Sequence, residues 1–168
     1  MSLQRILAFF KSKSRQKTPP PNPALNFPHP ANDPLFAWMK QDARIANLDQ
    51  NPVYTREGYE VRTHPELSSI LYELIPDTSV NRSYAYGRPV MANANGLIFA
   101  FAGGTRDVFF RLRKEQFDEA RKDGGRFDPT YGENWVQFQI GQRFGVSVDW
   151  REALKRWAKI ALQNTFGE

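Results

Sequence analysis

Residues 97–113, LIFAFAGGTRDVFFRLR, leave a folding chain few options. Two runs of apolar, strand-forming residues flank a Gly-Gly pair, the pattern of a β-hairpin. A four-residue loop over Gly103, Gly104, Thr105 and Arg106 sets Phe101 opposite Val108, Phe99 opposite Phe110 and Leu97 opposite Leu112. Because side chains alternate across a strand, Leu97, Phe99, Phe101, Val108, Phe110 and Leu112 are expected on one core-facing side. Ile98, Ala100, Ala102, Phe109, Arg111 and Arg113 then share the other, mixed side. A two-residue loop keeps this partition, whereas a three-residue loop would mix the faces.

The flanking sequence supplies further elements. Residues 83–92 read as one strand with an edge or bulge at Gly87 and Pro89, and Asn93-Ala94-Asn95-Gly96 supplies a turn. Residues 135–140 read as another strand, with Val136, Phe138 and Ile140 alternating against Trp135, Gln137 and Gln139. Asp33-Pro34 is a helix start, with Asp as N-cap and Pro at the first position, and the helix is expected to run to about Leu48. Asn51-Pro52 breaks the pattern, and residues 53–61 suggest a short strand pair about Glu57-Gly58. Thr63-His64-Pro65-Glu66 reads as a capping box opening a helix whose Leu67, Ile70, Leu71, Leu74 and Ile75 share one face; Pro76 stops it. Residues 114–122 form a helix ended by Gly124-Gly125. Asp149 and Glu152 frame the start of a last helix, with Arg151, Lys155 and Lys159 as a basic ridge opposite its apolar stripe. The expected fold is α+β: one domain over residues 34–168, built on an antiparallel sheet of about four to five strands with helices packed on it.

Ahead of that domain the composition changes. Pro19, Pro20, Pro21, Pro23, Pro28 and Pro30 make residues 18–33 a Pro-rich arm or linker, too rich in proline for helix or central strand. In residues 1–17, Leu3, Ile6, Leu7 and Phe10 fall on one helical face, and Arg5, Lys11, Lys13, Arg15 and Lys17 meet no acid. Those five account for the net charge of +5; the remaining residues balance 18 basic against 18 acidic side chains. The base is in the tail, and a general nucleic-acid field over the folded part is not expected. No apolar run reaches the roughly 20 residues of a membrane-spanning helix. With no Cys, disulfides, thiolate nucleophiles and Cys-ligated zinc are excluded; this fits a reducing compartment, and the expected location is the cytoplasm.

The order Gly96-Leu97-Ile98-Phe99-Ala100-Phe101, Asp107-Val108-Phe109-Phe110-Arg111-Leu112, a helix, Trp135-Val136-Gln137-Phe138 and Trp157-Ala158-Lys159-Ile160-Ala161-Leu162 resembles the N-terminal domain of the competence regulator TfoX (Sxy), and more distantly the YjbR/MmcQ-like domains. The resemblance covers about residues 82–163. It departs at the start, where the family's Arg-Met-Phe-Gly-Gly-like run is replaced by Arg82-Ser83-Tyr84-Ala85-Tyr86-Gly87, and residues 34–75 have no counterpart in it. It implies an α+β domain with an antiparallel sheet, no catalytic residues, and a regulatory or adaptor role.

Bond-making chemistry has little to start from. The two histidines, His29 and His64, are far apart and each adjoins proline, so a His-based metal site or triad is not expected. Gly103-Gly104 joins two strands instead of preceding a helix, unlike phosphate-binding loops. No cofactor is implied. The candidate surface is the mixed sheet side, where Phe109, Arg111 and Arg113 would adjoin Trp135, Gln137 and Gln139. Aromatics interleaved with Arg can stack bases and neutralise phosphates; alternatively, helices from residues 34–75 cover this side and make Phe109 and Trp135 core, as a two-layer domain favours. The leading reading is a non-enzymatic interaction or regulatory domain with a protein partner. The alternative is a nucleic-acid-binding module using the basic tail, the Arg/aromatic face and the last helix. A third is peripheral membrane contact through residues 1–17.

Overall fold

The computed structural model describes residues 26–45, 54–56, 59–61, 63–140 and 150–167. The expectations for residues 1–17, for residues 18–25 of the arm, for Glu57-Gly58, for the helix end at Leu48 and for the Asp149 cap lie outside them.

The elements in chain order are α1 (Asp33–Ile45), β1 (Tyr54–Arg56), β2 (Tyr59–Val61), α2 (Pro65–Glu73), β3 (Asn81–Ala85), β4 (Arg88–Ala92), β5 (Ile98–Gly103), β6 (Asp107–Arg111), α3 (Phe117–Lys122), β7 (Arg126–Phe127), β8 (Trp135–Gln139) and α4 (Trp150–Asn164). β1 and β2 form a two-stranded ladder; the other six strands form one antiparallel sheet in the order β3-β4-β5-β6-β8-β7. This is the expected α+β class, with six sheet strands instead of four or five. The extra strands have local causes. Gly87 marks neither an edge nor a bulge: Tyr86 (φ 48°) and Gly87 (φ 77°) form a two-residue turn, and Ala85 pairs with Arg88 across it. Positive φ at both positions is the primed hairpin geometry that matches strand twist. The stretch read as one strand is therefore two. β7, only two residues long, adds the sixth beside β8.

The central hairpin corrects the predicted register. Gly103 pairs with Asp107, Ala102 with Val108, Phe101 with Phe109 and Ala100 with Phe110, so the loop holds three residues, led by Gly104 at φ +65°. On β4, Met91 pairs with Ala100 but Ala92 with Ile98, which leaves Phe99 as an extra residue in a β-bulge. The bulge inverts the alternation. Phe99, Ala100, Ala102, Val108, Phe110 and Leu112 join one core cluster, while Ile98, Phe101 and Phe109 join a second on the opposite side. Phe101, expected beside Phe99, faces the other way.

Each sheet face has its own helices. On the first lie α2, with Leu67, Leu71 and, at its C-cap, Leu74, and α4, with Ala153, Leu154, Trp157, Ala158 and Ala161. Trp157 stacks on Phe138 and donates its indole N–H to Asp123 at 2.9 Å. On the second lie Phe27 of the arm and Leu35, Phe36 and Met39 of α1, over Ile98, Phe101, Phe109 and Trp135. The side expected to be mixed is therefore as dry as the other.

The described end of the proline arm is structural. His29 accepts from the Ala31 N–H and caps a 3₁₀ turn at Pro30–Asn32. Asn32, fully buried, donates to the Phe27 and Gly96 carbonyls (3.2 and 2.8 Å) and accepts from Ile98 N–H (3.0 Å). Gly96, at φ +78°, has the arm so close that a Cβ would lie 2.9 Å from Pro28 Cδ. At α2 the N-cap is His64, whose Nδ1 accepts from Glu66 N–H, and not Thr63. Thr63 is buried and donates its hydroxyl to the Ala102 carbonyl (3.1 Å). Continuing the Val90–Phe101 register by one step sets Pro89 opposite Ala102. Proline has no N–H for that carbonyl, and Thr63 supplies the donor.

Candidate functional site

The residues singled out from sequence are divided by the fold. Phe109, Trp135 and Arg111 are 4 %, 3 % and 9 % exposed, lying beneath the arm and α1, so they form no open surface. Arg111 donates to the Ala31 carbonyl and lies over the Trp135 ring (5.9 Å). Gln137 and Gln139 are half-buried. Arg113 is exposed beyond β6, where its backbone N–H donates to Gln116 at the 3₁₀ turn Lys114–Gln116. The ridge on α4 is interleaved with acids: Lys155 pairs with Glu152 (2.8 Å), and the neighbouring Arg156 with Asp123 and Glu119. These exposed pairs add little stability, but they offset the ridge's field. The basic tail, Arg5, Lys11, Lys13, Arg15 and Lys17, lies outside the described residues.

A different polar group gathers where the central strands end. Gly103 closes β5 against Asp107, and Asp107 pairs in turn with Gln139 of β8. On the other flank Arg88 opens β4, and its Nε lies 3.5 Å from where a Gly103 Cβ would stand. Gly103 has no positive φ to demand glycine; its missing side chain lets Arg88 lie across the strand end. Arg88 and Asp107 thus flank one glycine at the hairpin end.

Aromatic rings roof this row. The Arg88 guanidinium sits 5.0 Å over the Trp38 ring of α1. Tyr131, on the 3₁₀ turn Pro129–Tyr131 capped by Asp128, meets both Trp38 and Phe109 edge-on at 4.8 Å. Phe109 stacks on Phe101 at 4.3 Å, and Trp135 stands against Phe101 at 4.9 Å. Stacked and edge-to-face rings of this kind hold geometry beyond their area burial.

The charges here are not at ease. Arg88 is 5 % exposed, and burial lowers its pKa to about 10, opposed by the Tyr131 phenol; it remains cationic at neutral pH. Asp107 is half-buried, and its Oδ1 is buried without a hydrogen-bond partner. A buried polar atom left unmet demands an explanation. Tyr131 is raised above the ordinary phenol value, first by burial and then by the Asp128 and Asp107 carboxylates, with Arg88 opposing. Its stabilising effect is therefore complete below pH 10 and lost as pH rises through the raised folded value. In an absorbance titration of the folded protein, a phase above the ordinary phenol value is expected, and Tyr131→Phe should remove it. A late phase surviving in the variant would assign it elsewhere.

Sequence reasoning missed Arg88, Asp107, Tyr131 and Trp38. Their meeting depends on the Tyr86-Gly87 turn and the three-residue hairpin loop, neither of which the linear pattern specifies. Gly103 reads as a turn residue in the sequence, and its place at the end of β5 without a positive φ appears only in the structure.

Among the described residues no group of three or more His, Asp or Glu is placed to hold a metal ion, and no helix is long and apolar enough to cross a membrane. Both histidine Nδ1 atoms accept backbone N–H groups at helix or turn starts. No family model, curated protein or solved structure matches the chain.

Proposed function

We propose that this chain is a non-enzymatic binding domain with an interaction or regulatory role, and that the hairpin-end cluster is where it recognises what it binds. The observation that carries the reading is the placing of Arg88 and Asp107 on either side of Gly103, with Trp38 and Tyr131 beside them. Clusters of buried, perturbed ionisable groups against aromatic walls mark functional sites more often than bulk core. These groups offer charge and hydrogen bonds. They do not include a nucleophile set against a base, which acyl or phosphoryl transfer would need. The regulatory role also agrees with the TfoX-like order of residues 82–163.

The test is binding without turnover. In the full chain, the indole N–H resonance of Trp38, assigned by Trp38→Phe, should move on addition of a ligand from a panel of small molecules and oligonucleotides. An oligonucleotide that moves it, with affinity falling steeply between two salt concentrations, would favour the nucleic-acid reading. A reaction catalysed by the chain and abolished by Tyr131→Phe would overturn the non-enzymatic reading.

A further inference from the structure

We propose that Asn95-Gly96 is a site of spontaneous deamidation, and that its isoaspartate product unseats the arm at residues 26–32. The site lies ahead of β5, at the opposite end of that strand from the Gly103 cluster, and does not depend on the binding role.

The chain contains the Asn-Gly dipeptide once. In that pairing the backbone attacks the preceding side chain most readily, because glycine sets no Cβ in the way. Gly96 N, on losing its proton, adds to the side-chain carbonyl carbon of Asn95. The new N–C bond closes a five-membered succinimide, and the side-chain amide leaves as ammonia. Water then opens the ring at either carbonyl. One opening gives aspartate with the main chain unchanged. The other gives isoaspartate, whose main chain runs through the former side chain and is one methylene longer.

The turn supplies both access and restraint. Asn95 is exposed, so water and hydroxide reach it. Beneath it the buried Asn93 holds the loop: its carbonyl accepts Gly96 N–H, and its Oδ1 accepts Asn95 and Leu97 N–H, each at 3.0 Å. An amide so engaged is a poor nucleophile, and the chemistry belongs to moments when the turn opens. Asn32 of the arm restrains that opening through the Gly96 carbonyl, to which it donates at 2.8 Å.

The consequence follows from how closely the arm lies on Gly96. A Cβ there would stand 2.9 Å from Pro28 Cδ and 3.4 Å from Phe27 Cα, which leaves little space for the main chain to shift. A longer main chain moves the Gly96 carbonyl, and beyond it the Ile98 N–H, away from Asn32. Asn32 is fully buried, so its unmet amide is costly and the arm lifts with it. Aspartate at the same position keeps the backbone and carries its charge into solvent, and so leaves the arm in place.

The experiment ages the full chain at mildly alkaline pH, where the Gly96 amide loses its proton more readily. Mass spectrometry with electron-transfer fragmentation then separates aspartate from isoaspartate at position 95. Asn95→Ser is aged alongside as the control; Asn95 has no positive φ, so serine fits its backbone. The parent is expected to form isoaspartate at least about threefold more slowly than the free peptide of residues 91–99, and Asn32→Ala at least about threefold faster than the parent. The isoaspartate fraction should melt below aged Asn95→Ser and take up hydroxyl-radical oxidation at Phe27, which is 1 % exposed in the native chain. Asn95→Asp should melt with the parent and keep Phe27 protected. No isoaspartate in either the parent or Asn32→Ala, after the free peptide has converted, overturns the site. An isoaspartate form that melts with the control and protects Phe27 overturns the release of the arm, as does Asn95→Asp melting as low as the isoaspartate form. A parent that converts as fast as the peptide overturns the restraint by the turn.

Discussion

Replacing Asn32 by alanine is expected to destabilise the protein by about 3 kcal/mol, or roughly 6–12 °C in melting temperature for a chain of this size. One side chain holds the arm to the sheet: it donates to Phe27 and Gly96 and accepts from Ile98, with no exposed surface of its own. The Ile98 N–H lies beside the bulge at Phe99, where the ladder with β4 is interrupted, and truncation would strand it without an acceptor. A buried donor left unmet costs about 1–3 kcal/mol, to which the two lost donations add. Asn32→Asp should fare no better. The carboxylate would still accept from Ile98 but would turn an oxygen towards two carbonyls. Urea unfolding of both variants checks this; a loss below about 0.5 kcal/mol in Asn32→Ala would mean that the arm is not seated as described.

At Gly125, alanine should cost more than at Gly124, although only Gly124 has a positive φ (86°). α3 ends in a Schellman arrangement, with Gly125 N–H bonded to the Ala120 carbonyl and Gly124 N–H to that of Arg121. At Gly124 the penalty is conformational, about 1–2 kcal/mol for an L-residue in the left-handed region. At Gly125 it is steric. A Cβ would stand 2.7 Å from the Ala120 oxygen, 2.8 Å from Val136 Cγ1 and 3.0 Å from Phe138 Cζ, where backbone and two core side chains would all have to shift. Overpacking of this sort costs about 1–3 kcal/mol and sometimes more, and the backbone contact places Gly125→Ala at or above the top of that range. Chemical denaturation of the two variants side by side gives the order, and equal costs would contradict the packing between α3 and β8.

Local chemistry was legible in the sequence; pairing was not. The stop at Gly124-Gly125, the helix start near Asp33-Pro34 and the apolar face of α2 each follow from a few adjacent residues and are found close to where they were expected, although Asp33 is already helical (φ −56°, ψ −43°) and does not cap. Residues 97–113 do form the central hairpin, but a loop one residue shorter than expected and the bulge at Phe99 send Phe101 to the opposite layer. Neither has a strong sequence mark, because a loop one residue shorter or a single bulged residue leaves the local run of strand-forming residues unchanged. The capping role at α2 moved from Thr63 to His64 for a similar reason: the proline at position 89 leaves the Ala102 carbonyl wanting a donor, and Thr63 is close enough to provide it. The candidate site was the least legible of all. Arg88, Asp107, Tyr131 and Trp38 come from four separate segments, and only the sheet register brings them together.

The claim on which the rest depends is that residues 26–45 roof one sheet face and leave its polar groups to converge at the hairpin end. Hydroxyl-radical footprinting of the native full chain, read residue by residue, tests it directly. Phe109 and Trp135 should be protected, while Phe127 and Phe166, 42 % and 76 % exposed, are oxidised readily. Modification of Phe109 and Trp135 at rates matching Phe166 would contradict the covered face and return it to the solvent.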